Sequence, residues 1–596
     1  MKSDTPSSTV GGQLHSSSGG LVASMNLVAS TNTQSRLEVP LRKKFAVERP
    51  WCNMYQEETR LGVAMAILKS LGIKNLRSLK NIPPVPISPI TVLIGRNSVG
   101  KSTFARIFPL IRQSVERRKK SPILWFGDYV DFGSLSQAVH RGEKEISFEF
   151  SIKLDSNDHV NEKKDRPDFW LNEDNKLDYL VNEANITLVL TEGENNAYPK
   201  SIFISIEDFN FEIKFSSDSD LIKVDSIFIN GKKCTLPSGY SAFHWQGDVL
   251  PNIFFGKLEQ KNHENGEQES FYVVARNPWK SKIVNSVIHW VHGNVSHNTI
   301  RRIASQIRLG SVKEVAKSVS QIDGPNSWRD LAYYSDHSKD EYSRSFQSAL
   351  VAGVFPEIIE KIDAALKKYF SSVRYLKPLR ATAERYYRKQ DLAVHEIDSE
   401  GRNLPVFLDS LSHKAQLSFR DWISRSLKID VFPQREGEQI KVMARAENDD
   451  EPFNITDMGF GISQVLPIAA QLWAINGRHR DLASSSAVVI EQPELHLHPE
   501  YQARLADVFA SAVKQANGRK GNTSLIVETH SQHLVNRLGR LVEEKVLSPD
   551  DVTILLFEPS EVEDKSTSIR ISTFDNDGVL KNWPFGFFEP GENNVA

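Results

Sequence analysis

The 596-residue chain is about twice the size, roughly 250 to 300 residues, at which a single hydrophobic core stops growing, so at least two packed units are expected. With 40% hydrophobic residues, 25% charged residues and a formal net charge of -2, it is neither a polyelectrolyte nor a uniformly basic nucleic-acid coat, although local basic patches remain open. Cys52 and Cys234 are too few for a disulfide framework or a cysteine metal site, and no run of about 18 apolar residues or secretory leader is present, so a cytoplasmic protein without a membrane span is expected.

Residues 1–45, rich in Ser, Gly, Thr and Asn, read as a flexible tail. Residues 57–71, "EETRLGVAMAILKSL", suit a helix ending at Gly72. "ITVLIG" is then a short buried strand, and "KSTFARIFPLIRQSVERRKK" a helix with a basic end. From about 145 to 275, period-two runs such as "ISFEFSIKL" and "KSIFISIED" predict an antiparallel sheet. Residues 280–430 are helical in texture, interrupted by "YLKPLRATAERYY", and no heptad repeat long enough for a coiled-coil arm is present. After Ile455, "SSAVVIE", "TSLIVETH" and "VTILLFE" are buried strands alternating with helices, the pattern of a parallel sheet. The expected division is therefore a tail (1–45), a first lobe segment (46–144), an antiparallel β subdomain (145–279), a helical insertion (280–430) and a second lobe segment (431–596). The two remote β/α segments are expected to close into one nucleotide-binding lobe.

"GRNSVGKST" (Gly95, Arg96, Asn97, Ser98, Val99, Gly100, Lys101, Ser102 and Thr103) fits the phosphate-loop pattern between a strand and a helix. Backbone N–H groups there cradle phosphates, Lys101 reaches β and γ oxygens, and the Ser102 hydroxyl can hold Mg²⁺. The metal needs an acidic partner at a neighbouring strand end, and Glu491, directly after "AVVI", is the expected carboxylate. The next position, where a water-activating glutamate is expected, is Gln492, which can orient water but cannot take its proton. Loss of a general base costs roughly 10² to 10⁴ in rate, so such a site resembles a timer more than a motor. Glu494 is the candidate substitute base if its side chain faces the pocket, and His530 in "ETHSQH" is placed to bond a γ-phosphate or the attacking water. His496 and His498 have no supporting His/Cys cluster for a metal and read better as a loop facing an opposite subunit. Gly461, Ser463 and Gln464 open an apolar helix whose start can face an anion.

Together, "GRNSVGKST", "GFGISQ", "IEQPELHLHP" and "ETHSQH", with "LKPLRA" and the ending "GVLKNWPFGFFE", resemble the ABC-type ATPases of the SMC and OLD (overcoming lysogenisation defect) group over about residues 70–590. The resemblance implies an α/β fold of ABC type, with ATP and Mg²⁺ sandwiched between the Gly95–Thr103 loop of one subunit and Gly461, Ser463 and Gln464 of another, in a homodimer or higher oligomer. "GFGISQ" departs from the usual Leu-Ser-Gly-Gly-Gln, and Gln492 departs from the usual glutamate, a change that favours a closed, ATP-bound dimer. With the sequence ending at Ala596, no nuclease domain of the OLD type is expected. The resemblance extends to stand-alone anti-phage defence ATPases of Septu-type systems, including retron-associated ones, which implies a separate HNH-type nuclease partner and, in retron settings, a reverse transcriptase.

Nucleic-acid contact has two sequence supports. Arg112, Arg117, Arg118, Lys119 and Lys120 make a cationic helix end, and "RATAERYYRK" interleaves arginines with Tyr386 and Tyr387. An ATP-stabilised scaffold without hydrolysis and a DNA repair or recombination ATPase stand as alternatives.

Overall fold

The computed structural model describes residues 66–154, 182–193, 196–216, 223–262, 268–334, 339–390, 394, 396–447, 449–476, 487–517, 523–560, 566–584 and 587–588. The expected tail at 1–45 and the first part of the expected helix at 57–71 lie outside them.

The remainder of that helix is instead a strand, β1 (Ala66–Leu76), paired with β2 (Leu79–Pro86). The reason is local. The pairing register shifts between Leu68 and Ser70 and again between Leu71 and Ile73, so the buried side chains Leu68 and Leu71 are three apart, a helical spacing produced by β-bulges. Pro83, Pro84 and Pro86 are tolerated because β2 is an edge strand.

The antiparallel sheet extends from there. Its strands are β4 (Glu145–Leu154), β5 (Glu183–Glu192), β6 (Ala197–Ile206), β7 (Phe209–Ser216), β8 (Lys223–Ile229), β9 (Lys232–Cys234), β10 (Tyr240–Trp245), β11 (Asn252–Asn262) and β12 (Gln268–Ala275). Their order is β12-β11-β10-β8-β7-β6-β5-β4-β1-β2, with β9 beside β8, so β1 and β2 belong to this sheet and not to the nucleotide lobe's own. Strict alternation puts Ile202, Ile204 and Ile206 of β6 and Phe209, Phe211 and Ile213 of β7 on the buried face.

The lobe's sheet runs in the order β13-β18-β19-β3-β20-β21-β22, where β3 is Ile90–Gly95, β13 Arg374–Leu376, β18 Ala487–Glu491, β19 Ser524–Glu528, β20 Val552–Pro559, β21 Thr567–Phe574 and β22 Leu580–Lys581. β3, from the first segment, lies between β19 and β20 from the last, with parallel pairing on both sides. The two remote segments therefore make one sheet. Both faces of β3 are covered: Ile90, Val92 and Ile94 pack with the helices Phe460–Asn476 and Pro499–Asn517, while Leu93 packs with Phe104 and the antiparallel sheet. Burial on both faces explains the unbroken apolar runs read in the sequence.

Three further departures from expectation concern the helices and a small sheet. The helix after the phosphate loop is two, Lys101–Ala105 and Ile107–Glu116, joined at Arg106, with Pro109 early in the second where its missing N–H costs least. "RYL" at the start of the Pro-rich break is β13, beside β18. Residues 387–454 also carry strands: β14 (Tyr387–Arg388), β15 (Ile429–Glu436), β16 (Gln439–Ala446) and β17 (Phe453–Asn454) form a separate small sheet. Under the antiparallel sheet and on into the helices of residues 282–331 runs the helix Lys339–Ser371, about 50 Å long by helical rise. Its first half packs Tyr342 and Phe346 among the helices of residues 282–331, and its second half packs Phe355 to Phe370 under the antiparallel sheet.

Candidate functional site

The phosphate loop leaves β3 at Gly95, whose φ of 152° is a positive-φ backbone that residues with a side chain rarely adopt; a Cβ there would stand 2.3 Å from the Phe557 carbonyl oxygen, so only glycine lets β3 run this close to β20. Gly100 lies in the left-handed region at φ 95°, and a side chain there would strike Ser78 and Leu79 of the β1–β2 hairpin. β21 steadies the loop from outside: Thr567 donates its hydroxyl to the Val99 carbonyl at 2.7 Å and its N–H to Ser78 O at 3.1 Å. Lys101 is almost wholly buried and folds back to donate to Gly95 O at 3.0 Å and Arg96 O at 2.7 Å. Burial lowers its pKa, opposed by Glu528 and Glu494. These two carbonyls are weak partners for an ammonium, which is thus available to a phosphate.

A pocket of about 450 Å³ opens beside this loop, lined by Asn97, Ser98, Gly100, Lys101, Ser102 and Thr103 together with Gln492, Glu528 and His530. Arg77, Ser78 and Arg106 complete the lining. It therefore unites the phosphate loop with the ends of β18 and β19, as the sequence leads one to expect for Gln492 and His530.

The carboxylates are arranged differently from the expectation. Ser102 Oγ donates to Glu528 Oε1 at 2.9 Å, not to Glu491. Glu491 is taken by Arg106, whose Nε and Nη2 donate to its two oxygens at 2.7 Å each, and by the Tyr375 hydroxyl at 2.8 Å. The physical reason is the position of Arg106 at the junction of the two helices, where its guanidinium faces β18 and matches a buried carboxylate in both oxygens. Glu491 and Glu528 are register partners on adjacent strands, both nearly fully buried. Burial and the neighbouring Glu491 push the Glu528 carboxyl up to about 7.

Glu494 does not line the pocket. It is buried and its Oε1 accepts the backbone N–H of His530 at 2.7 Å, so it braces the turn after β19; Oε2 finds no partner among the described residues. The substitute-base expectation for Glu494 thus meets a side chain committed to the backbone. Gln492 stands at φ 44°, held by its N–H to Glu528 O at 2.8 Å, and lines the pocket. Burial, and after it the Lys101 ammonium, lower the pKa of the His530 imidazole.

Of the signature-like residues, Gln464 faces inward: its amide exchanges hydrogen bonds with the Arg380 backbone at 3.2 and 3.3 Å, and it is 1% exposed. Gly461 backs onto the His496 carbonyl, which a Cβ would approach to 2.8 Å. His496 and His498 are exposed, and His498 Nδ1 accepts the Glu500 N–H at 3.4 Å at the start of a helix.

The two cationic stretches are less open than their sequence suggests. Arg112 is buried, bonded to Glu396 through both Nη atoms and to Val373 O. Lys119 donates to Asp248 O, and Arg117 pairs with Asp128. Arg380 is buried too; its Nη2 donates to Glu491 O at 3.0 Å, and burial pushes its pKa down to about 10. Arg118, Lys120 and Tyr386 remain at the surface. The helix ends at Glu116, before most of the basic residues, which is why the first cluster is not a cationic helix end.

The donor set fits Mg²⁺, which takes one or two protein oxygens and completes its sphere with phosphate oxygens and water. The Ser102 hydroxyl and a strand-end carboxylate supply such oxygens, and Glu528 Oε2 is buried with no hydrogen-bond partner among the described residues. Among those residues there is no cluster of three His, Cys, Asp or Glu that would hold a metal without the nucleotide.

Sequence reading missed Glu528, Arg106, Tyr375 and the Arg77–Ser78 hairpin turn. Glu528 was legible as a carboxylate ending the buried run "SLIV"; the others depend on which strands and helices meet.

A model of the AAA ATPase domain family matches residues 65–535. A second model, described as a protein of unknown function (DUF3696), matches residues 547–596. No curated relative matches. Among solved structures, the chain is similar to an SMC head bound to the C-winged helix domain of ScpA, with 9% identity over 85% of this chain and 98% of that one and a TM-score of 0.31. It is also similar to the SMC head domain from Thermotoga maritima, with 11% identity over 85% and 98% of the two chains and a TM-score of 0.31. A third is an Smc head with an extended coiled coil, derived from Pyrococcus furiosus and bound to the C-terminal domain of ScpA: 11% identity, 85% and 97% coverage, TM-score 0.32.

Proposed function

The chain belongs to the AAA ATPase domain family, and on that premise we propose that it binds ATP with Mg²⁺ and hydrolyses it slowly, its nucleotide-dependent dimer gating a separate effector nuclease in anti-phage defence. The observation that carries the catalytic part is a single pocket holding Lys101, Ser102, the strand-end carboxylate Glu528 and, where a base would act, Gln492. Lys101 would exchange its two carbonyl partners for phosphate oxygens, and the loop N–H groups would hold the remainder of the triphosphate. Bound Mg²⁺ would supply positive charge to those oxygens. Gln492 would orient the attacking water, and the His530 imidazole, which also lines the pocket, would hydrogen-bond it or the γ-phosphate.

The gating role has its support in the motif set alone: a phosphate loop, a Gln492 where the resemblance leads one to expect glutamate, and resemblance to stand-alone defence ATPases. The test has two parts. Purified chain is assayed for phosphate release and for ATP-dependent dimerisation by light scattering, against Lys101→Ala. Gene neighbours of the chain are then searched for an HNH nuclease or a reverse transcriptase, and any found is co-expressed with it. Rapid turnover by the isolated chain, tens per second, would sink the timer reading.

A second reading, an ATP-stabilised scaffold without hydrolysis, is favoured by one observation. Glu494, the substitute base suggested by the sequence, is bonded to the His530 backbone and lies outside the pocket lining. Phosphate release no faster than in Lys101→Ala, with ATP binding intact, would establish it.

A further inference from the structure

We propose that Arg380 is a positioning residue for ATP hydrolysis: it fixes the peptide between Glu491 and Gln492, and with it the residue that orients the attacking water, and it ties that peptide to the start of the helix Phe460–Asn476. The inference rests on the hydrolysis reading above and deepens it.

The Glu491–Gln492 peptide is held on both sides. Its N–H donates to Glu528 O at 2.8 Å, and its carbonyl accepts from Arg380 Nη2 at 3.0 Å. Gln492 needs such holding, because its φ of 44° lies in the left-handed region, which a residue with a side chain keeps only where its surroundings impose it. Turning this peptide would redirect Gln492, which lines the pocket.

Topology brings Arg380 to this place. β13 runs parallel to β18 with Leu376 opposite Ile490, so the chain leaving β13 passes the same end of the sheet as the Glu491–Gln492 turn. The Arg380 backbone in turn exchanges hydrogen bonds of 3.2 and 3.3 Å with the Gln464 amide. A shift at the start of that helix would therefore reach Gln492 through one side chain.

Stability does not account for the residue. Arg380 is 4% exposed, and its Nε and Nη1 have no hydrogen-bond partner among the described residues. Burial outweighs its attraction to Glu494 and Glu491, so an apolar side chain of similar length would fill the space at lower cost. A guanidinium aimed at one carbonyl beside the pocket suits positioning better than packing.

Arg380→Met is made in three full-length backgrounds: wild type, Gln492→Glu and Gln492→Ala. Phosphate release is measured against ATP concentration, with titration of a fluorescent ATP analogue and a thermal melt. In the wild-type and Gln492→Glu backgrounds kcat is expected to fall about tenfold or more, with KM and analogue binding within about threefold and the melting temperature not lowered. In Gln492→Ala the loss is expected to stay under about threefold, because a residue that acts through Gln492 has nothing left to position, whereas general loosening lowers all three backgrounds alike. An equal loss in the three backgrounds, or an undiminished kcat for Arg380→Met alone, overturns the role. If Arg380→Met does not fold, Arg380→Lys, which keeps the charge and loses the fork, is carried through the same backgrounds by the same criteria. A wild-type chain that releases phosphate no faster than Lys101→Ala removes the hydrolysis reading and this role with it, a result distinct from wild-type-like turnover in Arg380→Met.

Discussion

Arg106 holds Glu491 through two parallel hydrogen bonds of 2.7 Å, joining the helical junction after the phosphate loop to the end of β18 across 385 positions of sequence. This clamp ties the two halves of the nucleotide lobe at the point where they meet. The partners differ in exposure: the guanidinium is 34% exposed and the carboxylate 2%.

That asymmetry predicts unequal losses. Arg106→Ala leaves a buried carboxylate with only the Tyr375 hydroxyl, and should destabilise by about 3 kcal/mol, the low end for a broken buried pair because the arginine is partly solvated. Glu491→Ala lets the guanidinium turn to water and should cost less. Urea unfolding of both variants checks the order, and a reversed order would show that the clamp is not the main anchor of Glu491.

Lys101→Ala should abolish most nucleotide affinity without unfolding the chain. Charge-assisted hydrogen bonds contribute about 1.5 to 3 kcal/mol each, or roughly 10- to 150-fold per contact. Among the described residues the ammonium donates to Gly95 O and Arg96 O, two contacts within the phosphate loop itself. Titration with a fluorescent ATP analogue and a thermal melt together test this.

Gln492→Glu should raise steady-state phosphate release by about 10² to 10⁴, the usual contribution of a general base. Glu494→Gln should leave the rate unchanged, since its amide oxygen can still accept the His530 N–H outside the pocket. A drop in turnover in Glu494→Gln, at unchanged melting temperature, would assign it the base role after all.

His244 should make the antiparallel sheet sensitive to acid. Neither ring nitrogen has a hydrogen-bond partner among the described residues, Phe215 packs against it at 4.5 Å, and burial lowers its pKa to about 4, with only the Trp245 backbone opposing. The folded pKa is below the unfolded one, so as pH falls through about 6.5 the unfolded chain takes the proton first and stability is lost until about pH 4. The loss between pH 7.5 and 5 should be about 2 kcal/mol and should shrink in His244→Phe. Equal acid sensitivity in that variant would clear His244 of the effect.

The sequence by itself determined the phosphate loop, the parallel strands around it, the antiparallel sheet and the union of two distant segments. Each of these is written in local spacing: a glycine pattern between strand and helix, unbroken apolar runs for strands buried on both faces, period-two runs for a sheet. It also placed Gln492 and His530 at strand ends, and strand ends of a parallel sheet converge. It misread residues 66–71 because bulges between Leu68 and Ile73 give a strand a helix-like spacing. Only the tertiary structure decided what each charge touches. Arg112 and Arg380 read as surface cations but are buried among carboxylates and carbonyls, and Glu491 reads as the metal's partner but is claimed by Arg106. Spacing along one chain fixes which face a side chain occupies, whereas a counter-charge arrives from an element hundreds of residues away, and close-range electrostatics is settled only when the two are packed together.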